Sequence, residues 1–333
     1  MALKVWLNFK GKKFWLTDKL ESAGFNVITD YVPYVDSASV IQIANTVDVV
    51  VCTGEQWNRD NLEQITGPKL IVRYGAGTDT IDLSAATELG IPVANCPGVN
   101  ASSVAELALA HILNCLRAFC YSVSGPKEGV WPRYIVGNEL DGKTVGLLGF
   151  GNIAKQLRRM LTGFKVRVLA YDSMMRPDEQ KYNVVAVESA EQLFRESDIV
   201  SLHIPLNKET KRSINRKFFE LMKPGAFLIN TSRGALIDES DLIEALQKGR
   251  LRGAGLDVTA SEPPHMDSPL FAMDNVYVTT HMAAYTQEAE LRTQSLVFDT
   301  IVSFSRGEVP PNVLNKIVLI GEENGKIETK TAK

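Results

Sequence analysis

The stretch Thr144-Val145-Gly146-Leu147-Leu148-Gly149-Phe150-Gly151-Asn152-Ile153-Ala154 is the strongest indicator of the fold. An apolar run is followed by Gly-x-Gly-x-x-Ala and then by a helical pattern, as in a dinucleotide-binding βαβ unit. Gly149 permits a tight turn, and Gly151 lets the backbone approach a pyrophosphate. The amides of Asn152 and Ile153 at the helix start then face the anion. Taken alone, the motif is also compatible with a glycine turn that binds nothing.

The next strand supports the dinucleotide interpretation. Val166–Tyr171 is apolar and ends in Asp172, 21 residues after Gly151. An acid about 20 residues beyond the glycines accepts hydrogen bonds from the ribose hydroxyls. The same carboxylate would repel a 2′-phosphate, so the sequence favours NAD over NADP. Arg176 is the nearby residue that argues for the phosphorylated cofactor.

Working outward, short β-branched runs alternate with helical patterns along the 333 residues, which predicts two α/β domains with parallel sheets. The predicted strands of the first third are Lys4–Phe9, Phe25–Asp30, Asp48–Cys52, Lys69–Tyr74 and Pro92–Asn95. Those that begin at Thr144 are Thr144–Leu148, Val166–Tyr171, Val184–Val187, Ile199–His203, Ala226–Asn230, Ala254–Asp257 and Val276–Thr279. Seven strands with intervening helices predict a doubly wound sheet.

Two long helices and one irregular segment connect these regions. A helix over Ser102–Tyr121 is predicted, with a capping box formed by Ser103 and Glu106. Ser122–Asp141 is rich in Gly, Pro and Trp and is predicted to be a loop or arm. The last predicted helix covers about Gln287–Ser305 and is amphipathic.

Composition excludes several classes of protein. A net charge of −3 argues against nucleic-acid binding, and no stretch approaches the ~18 apolar residues of a membrane span. The start lacks the features of a signal peptide, so we expect a cytoplasmic protein. The four cysteines have no metal or redox spacing and are expected to be reduced, buried thiols, and no metal site is predicted.

The four histidines differ in sequence context. His111 lies in a Leu- and Ala-rich helix, where a packed or surface role is expected, and His265 lies in a loop expected to be solvated. His203 ends a strand just before Pro205, at the sheet edge where cofactors bind. His281 follows the last strand, and ligands of open α/β sheets bind at the carboxyl ends of strands.

Two further strand ends carry the charges that a 2-keto acid requires. Arg233 follows the strand that ends at Asn230, and Glu262 follows the strand that ends at Asp257. A guanidinium matches a carboxylate bidentately. A histidine can donate a proton to the carbonyl as hydride arrives, and a carboxylate on its other ring nitrogen would orient it. Arg233, Glu262 and His281 therefore form a candidate catalytic triad.

These stretches, together with Arg73–Asp82, Ser103–Leu107, Asn230–Asp238 and Gly253–Glu262, resemble the D-isomer-specific 2-hydroxyacid dehydrogenases over residues 3–320. The resemblance implies a Rossmann cofactor domain (102–286) inserted into a flavodoxin-like substrate domain (1–101 plus 287–333). It also implies a homodimer through the cofactor domain, to which the arm after the long helix would contribute.

The resemblance assigns roles to individual residues. Arg233, Glu262 and His281 take the catalytic positions. The substrate contacts fall at Arg73, Tyr74, Gly75, Ala76 and Gly77, with the amides of Ala76 and Gly77 on the carboxylate. Asp257 would meet the nicotinamide amide, and the other cofactor neighbours are Ser103, His203, Pro205, Thr231, Ser232 and Ala283.

Departures from the family pattern leave alternatives open. Thr280 stands where many relatives have Pro, which predicts a less rigid catalytic loop, and Asn152 replaces a common Arg. Arg73 is placed where phosphoglycerate dehydrogenases carry an arginine near the substrate; a structural salt bridge is the other interpretation. The expected function is NAD-dependent reduction of a small 2-keto acid. An NAD(H)-sensing module like the C-terminal-binding-protein corepressors is the alternative, although Ala284 replaces their pocket Trp.

Overall fold

The protein is described from a computed structural model that covers residues 2–10, 14–131, 136–174 and 182–320. The chain divides into two compact units, each with its own parallel sheet. The first unit comprises the described residues of Met1–Asn100 and Gln287–Lys333, and the second is Ala101–Thr286.

The first unit contains a five-stranded sheet in the order β2-β1-β3-β4-β5. Its strands are β1 (Lys4–Leu7), β2 (Asn26–Ile28), β3 (Val49–Cys52), β4 (Leu70–Arg73) and β5 (Val93–Ala94). Its helices are α1 (Phe14–Ser22), α2 (Ser37–Ala44), α3 (Arg59–Leu62), α4 (Leu83–Glu88) and, from the end of the chain, α11 (Gln287–Ser305). This 2-1-3-4-5 order is the flavodoxin-like one, as the family resemblance implies.

The second unit contains a seven-stranded parallel sheet in the order β12-β11-β10-β9-β6-β7-β8. Its strands are β6 (Thr144–Leu148), β7 (Arg167–Tyr171), β8 (Val185–Ala186), β9 (Ile199–Leu202), β10 (Ala226–Asn230), β11 (Leu251–Leu256) and β12 (Val276–Val278). Its helices are α5 (Ala101–Arg117), α6 (Phe119–Lys127), α7 (Asn152–Met160), α8 (Ala190–Glu196), α9 (Arg216–Leu221) and α10 (Glu239–Gln247). The order reverses between β6 and β9, which creates the crevice where doubly wound sheets bind ligands.

Both faces of this sheet are buried. Along β6, Val145 and Leu147 pack into one apolar cluster while Leu148 packs into the other. Successive side chains of a strand point to opposite faces, so the two clusters lie on opposite sides of the sheet. The two-sided core confirms the predicted doubly wound fold.

The prediction of a single helix over Ser102–Tyr121 is wrong, because α5 ends and α6 begins within that range. Ala118 adopts a left-handed conformation (φ 49°) and ends α5, and the side-chain oxygen of Asn114 accepts a 2.8 Å hydrogen bond from the Cys120 amide at the start of α6. The segment Ser122–Asp141, which the sequence predicts to be a loop or arm, is therefore helical as far as Lys127.

In the described part of the chain, no single helix has the length and apolar composition of a membrane span. The pair α5 and α6 passes that test only when taken together, and it is bent by 71°. All four cysteines are free, and the expectation that all are buried is wrong for Cys120, which is exposed.

Candidate active site

The turn between β6 and α7 is shaped by the close approach of a neighbouring strand end. Gly149 has φ +90°, and a Cβ there would lie 2.6 Å from the backbone oxygen of His203, just beyond β9. Any other residue would need both a strained backbone and a displaced strand end. The first fingerprint glycine is therefore required at the point where the strand order reverses.

The start of α7 is open to a ligand. Gly151 is the N-cap residue and makes no side-chain capping bond, and a Cβ built on it would meet nothing within 4 Å. The amides of the first turn of a helix lack partners within the helix and favour an anion. The geometry at Gly151, Asn152 and Ile153 fits the pyrophosphate of a dinucleotide.

Asp172, just past β7, holds this turn in place. Its carboxylate oxygens accept 2.8 Å hydrogen bonds from the amides of Phe150 and Met174. A carboxylate offers about four acceptor positions, so two remain for ribose hydroxyls. Asp172 thus stabilises the turn and keeps two acceptor positions for the ribose hydroxyls, as the sequence predicts.

Two buried polar atoms at neighbouring strand ends have no hydrogen-bond partner among the described residues: His203 Nε2 and Thr231 Oγ1. Buried polar groups are nearly always paired, so an unpaired one needs an explanation such as a missing ligand. Both residues were predicted as cofactor neighbours. Burial also lowers the pKa of His203 to about 4, so its imidazole is neutral at physiological pH.

Other predicted cofactor neighbours make contacts within the protein. Ser232 Oγ donates to the Ile204 oxygen over 2.7 Å, and Ser103 Oγ lies 2.7 Å from the Thr286 hydroxyl. The Pro205 oxygen accepts from a threonine hydroxyl at 2.7 Å. Because these groups are already bonded, their contribution to cofactor binding stays a prediction.

The loop that carries Arg233 is fixed by a buried amide. The Asn230 side chain accepts from the Ser232 amide at 3.0 Å and donates to the Arg233 oxygen at 2.9 Å. A Cβ on Gly234 would lie 1.9 Å from the Thr259 oxygen, so the loop after β10 presses against the loop after β11. That approach explains why glycine follows the arginine.

The loop after β11 carries Glu262, which is bonded to His281 in the loop after β12. His281 Nδ1 and Glu262 Oε2 are 2.6 Å apart, and both side chains are partly exposed. Because Nδ1 is bonded to the carboxylate, Nε2 is the ring atom left to exchange a proton with a substrate. The structure thus brings together the histidine and the acid that the sequence paired.

The charges at this site influence one another. Burial, the largest influence, raises the pKa of the Glu262 carboxyl. The hydrogen bond and charge of His281, the Thr259 amide and the charge of Arg233 together outweigh burial and lower the pKa below its ordinary value. Glu262 therefore stays ionised and stabilises a positive imidazole beside it.

Asp257 organises the catalytic loop from within the protein. It is 1% exposed, and its carboxylate accepts hydrogen bonds from Thr279 Oγ1 (2.6 Å) and from the amides of Met282 and Ala283 (2.9 Å each). Its backbone oxygen accepts from the His281 amide at 2.8 Å. One acceptor position on Oδ2 remains, which is where the predicted nicotinamide contact could be made.

Comparisons with known proteins agree with this geometry. The sequence profile described as "D-isomer specific 2-hydroxyacid dehydrogenase, NAD binding domain" matches residues 109–283. A glyoxylate reductase from Thermococcus litoralis is 38% identical over 279 residues, covering 81% of this chain and 84% of that protein. The chain belongs to the D-isomer specific 2-hydroxyacid dehydrogenase family.

Two further relatives extend the comparison. A D-3-phosphoglycerate dehydrogenase from Methanocaldococcus jannaschii is 38% identical over 283 residues, covering 84% of this chain and 54% of that protein. The structure of an acyclic imino acid reductase, Bsp5, in complex with NADPH and D-Arg has a TM-score of 0.85 at 28% identity, covering 94% of this chain and 100% of that chain. As a member of this dehydrogenase family, the chain is an oxidoreductase of 2-hydroxy acids that uses a nicotinamide cofactor.

The predicted substrate residues of this dehydrogenase lie in the first unit, at the last residue of β4 and in the segment that follows it. The Tyr74 hydroxyl donates to Glu290 Oε1 over 2.8 Å, and Arg73 Nη1 donates to the Tyr74 oxygen at 3.0 Å. Gly75 has φ +149°, a conformation that L-residues rarely adopt. Among the described residues, no acceptor contacts the amides of Ala76 and Gly77. Two open donors suit a carboxylate, but the substrate contacts of this segment stay a prediction.

Three residues that build the site are not identified by the sequence patterns: Asn230, Gly234 and Thr279. Asn230 is fully buried at a strand end, and a polar residue that ends an apolar strand was the available signal. Gly234 directly follows the functional arginine, which was a second signal. Thr279 contacts a carboxylate 22 positions away, and the sequence contained no signal for that pairing.

Proposed function

We propose that this chain is an NAD-dependent D-2-hydroxyacid dehydrogenase with Arg233, Glu262 and His281 as its catalytic residues. The substrate is a small 2-keto acid of the glyoxylate, hydroxypyruvate or phosphohydroxypyruvate type, or the corresponding 2-hydroxy acid. The observation that carries the proposal is the 2.6 Å pair of His281 Nδ1 and Glu262 Oε2, in the loops that follow β12 and β11.

In reduction, protonated His281 donates its Nε2 proton to the carbonyl oxygen of the keto acid. The nicotinamide cofactor, when bound, supplies the hydride that the carbonyl carbon accepts. Glu262 holds the imidazole through Nδ1 and stabilises its positive charge, so that the proton is available at Nε2. In oxidation, neutral His281 takes the hydroxyl proton at the same atom.

Arg233 binds the substrate carboxylate and polarises its carbonyl. Its Nη1 donates to the Ser232 oxygen at 2.8 Å, which fixes one end of the guanidinium. A guanidinium presents five N–H donors in a planar fork, a geometry that suits a carboxylate. From the family resemblance, the open amides of Ala76 and Gly77 in the first unit are proposed as donors to a substrate carboxylate.

NAD is proposed over NADP because Asp172 presents a carboxylate at the end of β7. The residue that argued for NADP, Arg176, lies outside the described residues. Assembly as a homodimer through the cofactor domain and a cytoplasmic location are proposed from the family resemblance. The domain roles follow from it as well, with the cofactor in the second unit and substrate contacts from the first.

A panel assay tests the proposal. Oxidation of NADH is followed with glyoxylate, pyruvate, hydroxypyruvate, phosphohydroxypyruvate, a branched keto acid and phenylpyruvate. We expect clear turnover of at least one acid, lost in His281→Gln by about 10²-fold or more while NADH binding is retained. The matched control is His265→Gln, the same substitution at an exposed histidine.

The outcomes separate the alternatives. Loss of NADH binding in His281→Gln would make His281 a cofactor residue and refute its catalytic role. Tight NADH binding by the wild type without turnover of any acid would refute the proposed dehydrogenase activity. That result would favour an NAD(H)-sensing module like the corepressors. A preference for phosphohydroxypyruvate that Arg73→Ala abolishes would assign Arg73 to the substrate phosphate.

A further inference from the structure

A buried histidine outside the proposed triad lies behind the catalytic loop. His111 is in α5, which packs against β10, β11 and β12, and it is 4% exposed. Its ring lies against the bare backbone of Gly255 in β11, where a Cβ would lie 2.7 Å from the His111 Cβ and 2.8 Å from Nδ1. Glycine at position 255 therefore makes the space that this imidazole occupies.

Hydrogen bonds connect His111 to Asp257 in a defined direction. Thr279 Oγ1 lies 3.1 Å from His111 Nε2 and 2.6 Å from Asp257 Oδ1. A carboxylate oxygen accepts, so the single hydroxyl hydrogen of Thr279 donates to Asp257. The hydroxyl oxygen must then accept from His111, which requires a proton on Nε2.

The same carboxylate fixes the loop that carries the acid/base histidine. The Asp257 carboxylate accepts hydrogen bonds from the amides of Met282 and Ala283, the two residues that follow His281. Thr279, which also contacts Asp257, lies two residues before His281. His281 itself has φ 54°, a left-handed conformation that non-glycine residues rarely adopt. The loop geometry therefore depends on Asp257 keeping its orientation.

We propose that His111 is a positioning residue for the reaction: it donates Nε2–H to Thr279, which fixes Asp257 and through it the backbone that presents His281. This inference rests on the proposed function, because it assigns His111 a role through the proposed acid/base residue. His111 touches neither substrate nor cofactor in this role.

The electrostatic environment supports a neutral donor. Burial lowers the pKa of His111, and the charge of Asp257 opposes that effect without cancelling it. A neutral imidazole has one N–H, and the chain of bonds places it on Nε2. An apolar side chain of similar size could fill the same space but could not orient the Thr279 hydroxyl.

Three variants separate positioning from packing. His111→Leu removes the donor and keeps an apolar side chain, whereas His111→Gln keeps an N–H close to the position of Nε2. Thr279→Val removes the hydroxyl with little change of shape. For each variant and for the double variant His111→Leu/Thr279→Val, kcat, KM, the dissociation constant of NADH and Tm are measured on the full chain.

We expect His111→Leu to lower kcat about tenfold, because one hydrogen bond of a buried series is lost. The dissociation constant of NADH should change less than about threefold. His111→Gln should restore kcat to within about threefold of wild type, and the double variant should lose no more than the worse single variant. Equal losses in the Leu and Gln variants, multiplied losses in the double variant, or an unchanged kcat in His111→Leu would each overturn the proposal.

A measurement without substrate distinguishes failure of this proposal from failure of the proposed function. Long-range ¹H–¹⁵N spectra report the tautomer of His111, with the signal assigned from its absence in His111→Leu. A proton on Nε2 at neutral pH supports the proposal, and a proton on Nδ1 overturns it. The proposed function fails separately, if wild type reduces none of the keto acids in the panel.

Discussion

Replacing His203 with Gln isolates the effect of one half-buried imidazole on stability in acid. The ring follows β9, its Nε2 is buried without a partner among the described residues, and burial lowers its pKa to about 4. In the unfolded chain a histidine titrates near 6.5. The unfolded state therefore takes up a proton below about pH 6.5, while the folded state stays neutral until about pH 4.

The sign and size of the effect follow from linkage. Because the unfolded state binds the proton first, its free energy falls relative to the folded state between pH 6.5 and pH 4, and stability is lost as the pH falls. With these two pKa values the loss reaches about 2 kcal/mol at pH 5 and is close to zero at pH 7. Glutamine cannot titrate, so His203→Gln should lack this loss.

The measurement is urea unfolding of the cofactor-free protein at pH 7 and pH 5, for wild type, His203→Gln and the exposed-site control His265→Gln. The difference between wild type and His203→Gln should change by about 2 kcal/mol between the two pH values. The His265 control serves to remove effects common to any loss of a histidine. A difference that is the same at both pH values would show that the folded protein protonates His203 as easily as the unfolded chain does, and would refute the reasoning.

Three further predictions concern the fingerprint and the catalytic pair. Gly149→Ala places a Cβ 2.6 Å from a backbone oxygen and should lower the free energy of unfolding in urea by about 1–3 kcal/mol. A Cβ at position 151 meets nothing within 4 Å, so Gly151→Ala should unfold like the wild type. It should weaken NADH binding, which is measured by fluorescence. Equal stabilities would contradict the first expectation. Asp172→Ala should lower the ratio of NAD(H) to NADP(H) activity, and an unaltered ratio would show that another group selects the cofactor. Glu262→Gln should lower kcat/KM for the keto acid by about 10²-fold with NADH binding retained, since the imidazole loses its charged partner; wild-type kinetics would remove Glu262 from the mechanism.

Features that depend on local sequence could be predicted. The fingerprint turn is contiguous, and the strand ends that carry Arg233, Glu262 and His281 each follow an apolar run. Parallel strands place their carboxyl ends at one edge of the sheet, so three separate signals lead to one region. His281 and Glu262, which this reasoning paired, are joined by a 2.6 Å bond in the structure, and their catalytic role stays a prediction.

Two element boundaries could not be predicted because individual side-chain and backbone contacts override the periodic pattern. Ala118 breaks the helix although alanine favours helices, and the cap that starts α6 is the side chain of Asn114 from the preceding helix. Strand β11 begins at Leu251 rather than at the predicted Ala254. Gly253 resembles a turn residue in the sequence, but a Cβ there would lie 2.5 Å from the Asn275 oxygen, so it marks a close approach within the sheet.

The polar chain behind the catalytic loop was not predictable for a different reason. His111 and Thr279 are separated by 168 positions, and a histidine in an apolar helix is compatible with simple packing. Neither residue belongs to a motif whose spacing would indicate that they meet. Only the packing of α5 on β11 places the imidazole within reach of the hydroxyl.

The loop that presents His281 illustrates how stability and function are linked at this site. The sequence predicts a less rigid loop because Thr280 replaces a proline, yet the left-handed conformation of His281 (φ 54°) costs about 1–3 kcal/mol and must be held by other contacts. Asp257 provides them through its carboxylate and its backbone oxygen, with bonds that contribute about 1 kcal/mol each. Because these bonds involve the residues on either side of position 280 and not its side chain, the rigidity of the loop is determined by a buried acid one strand away. Restraint of this kind also explains why a partly exposed imidazole can keep a fixed orientation toward its carboxylate.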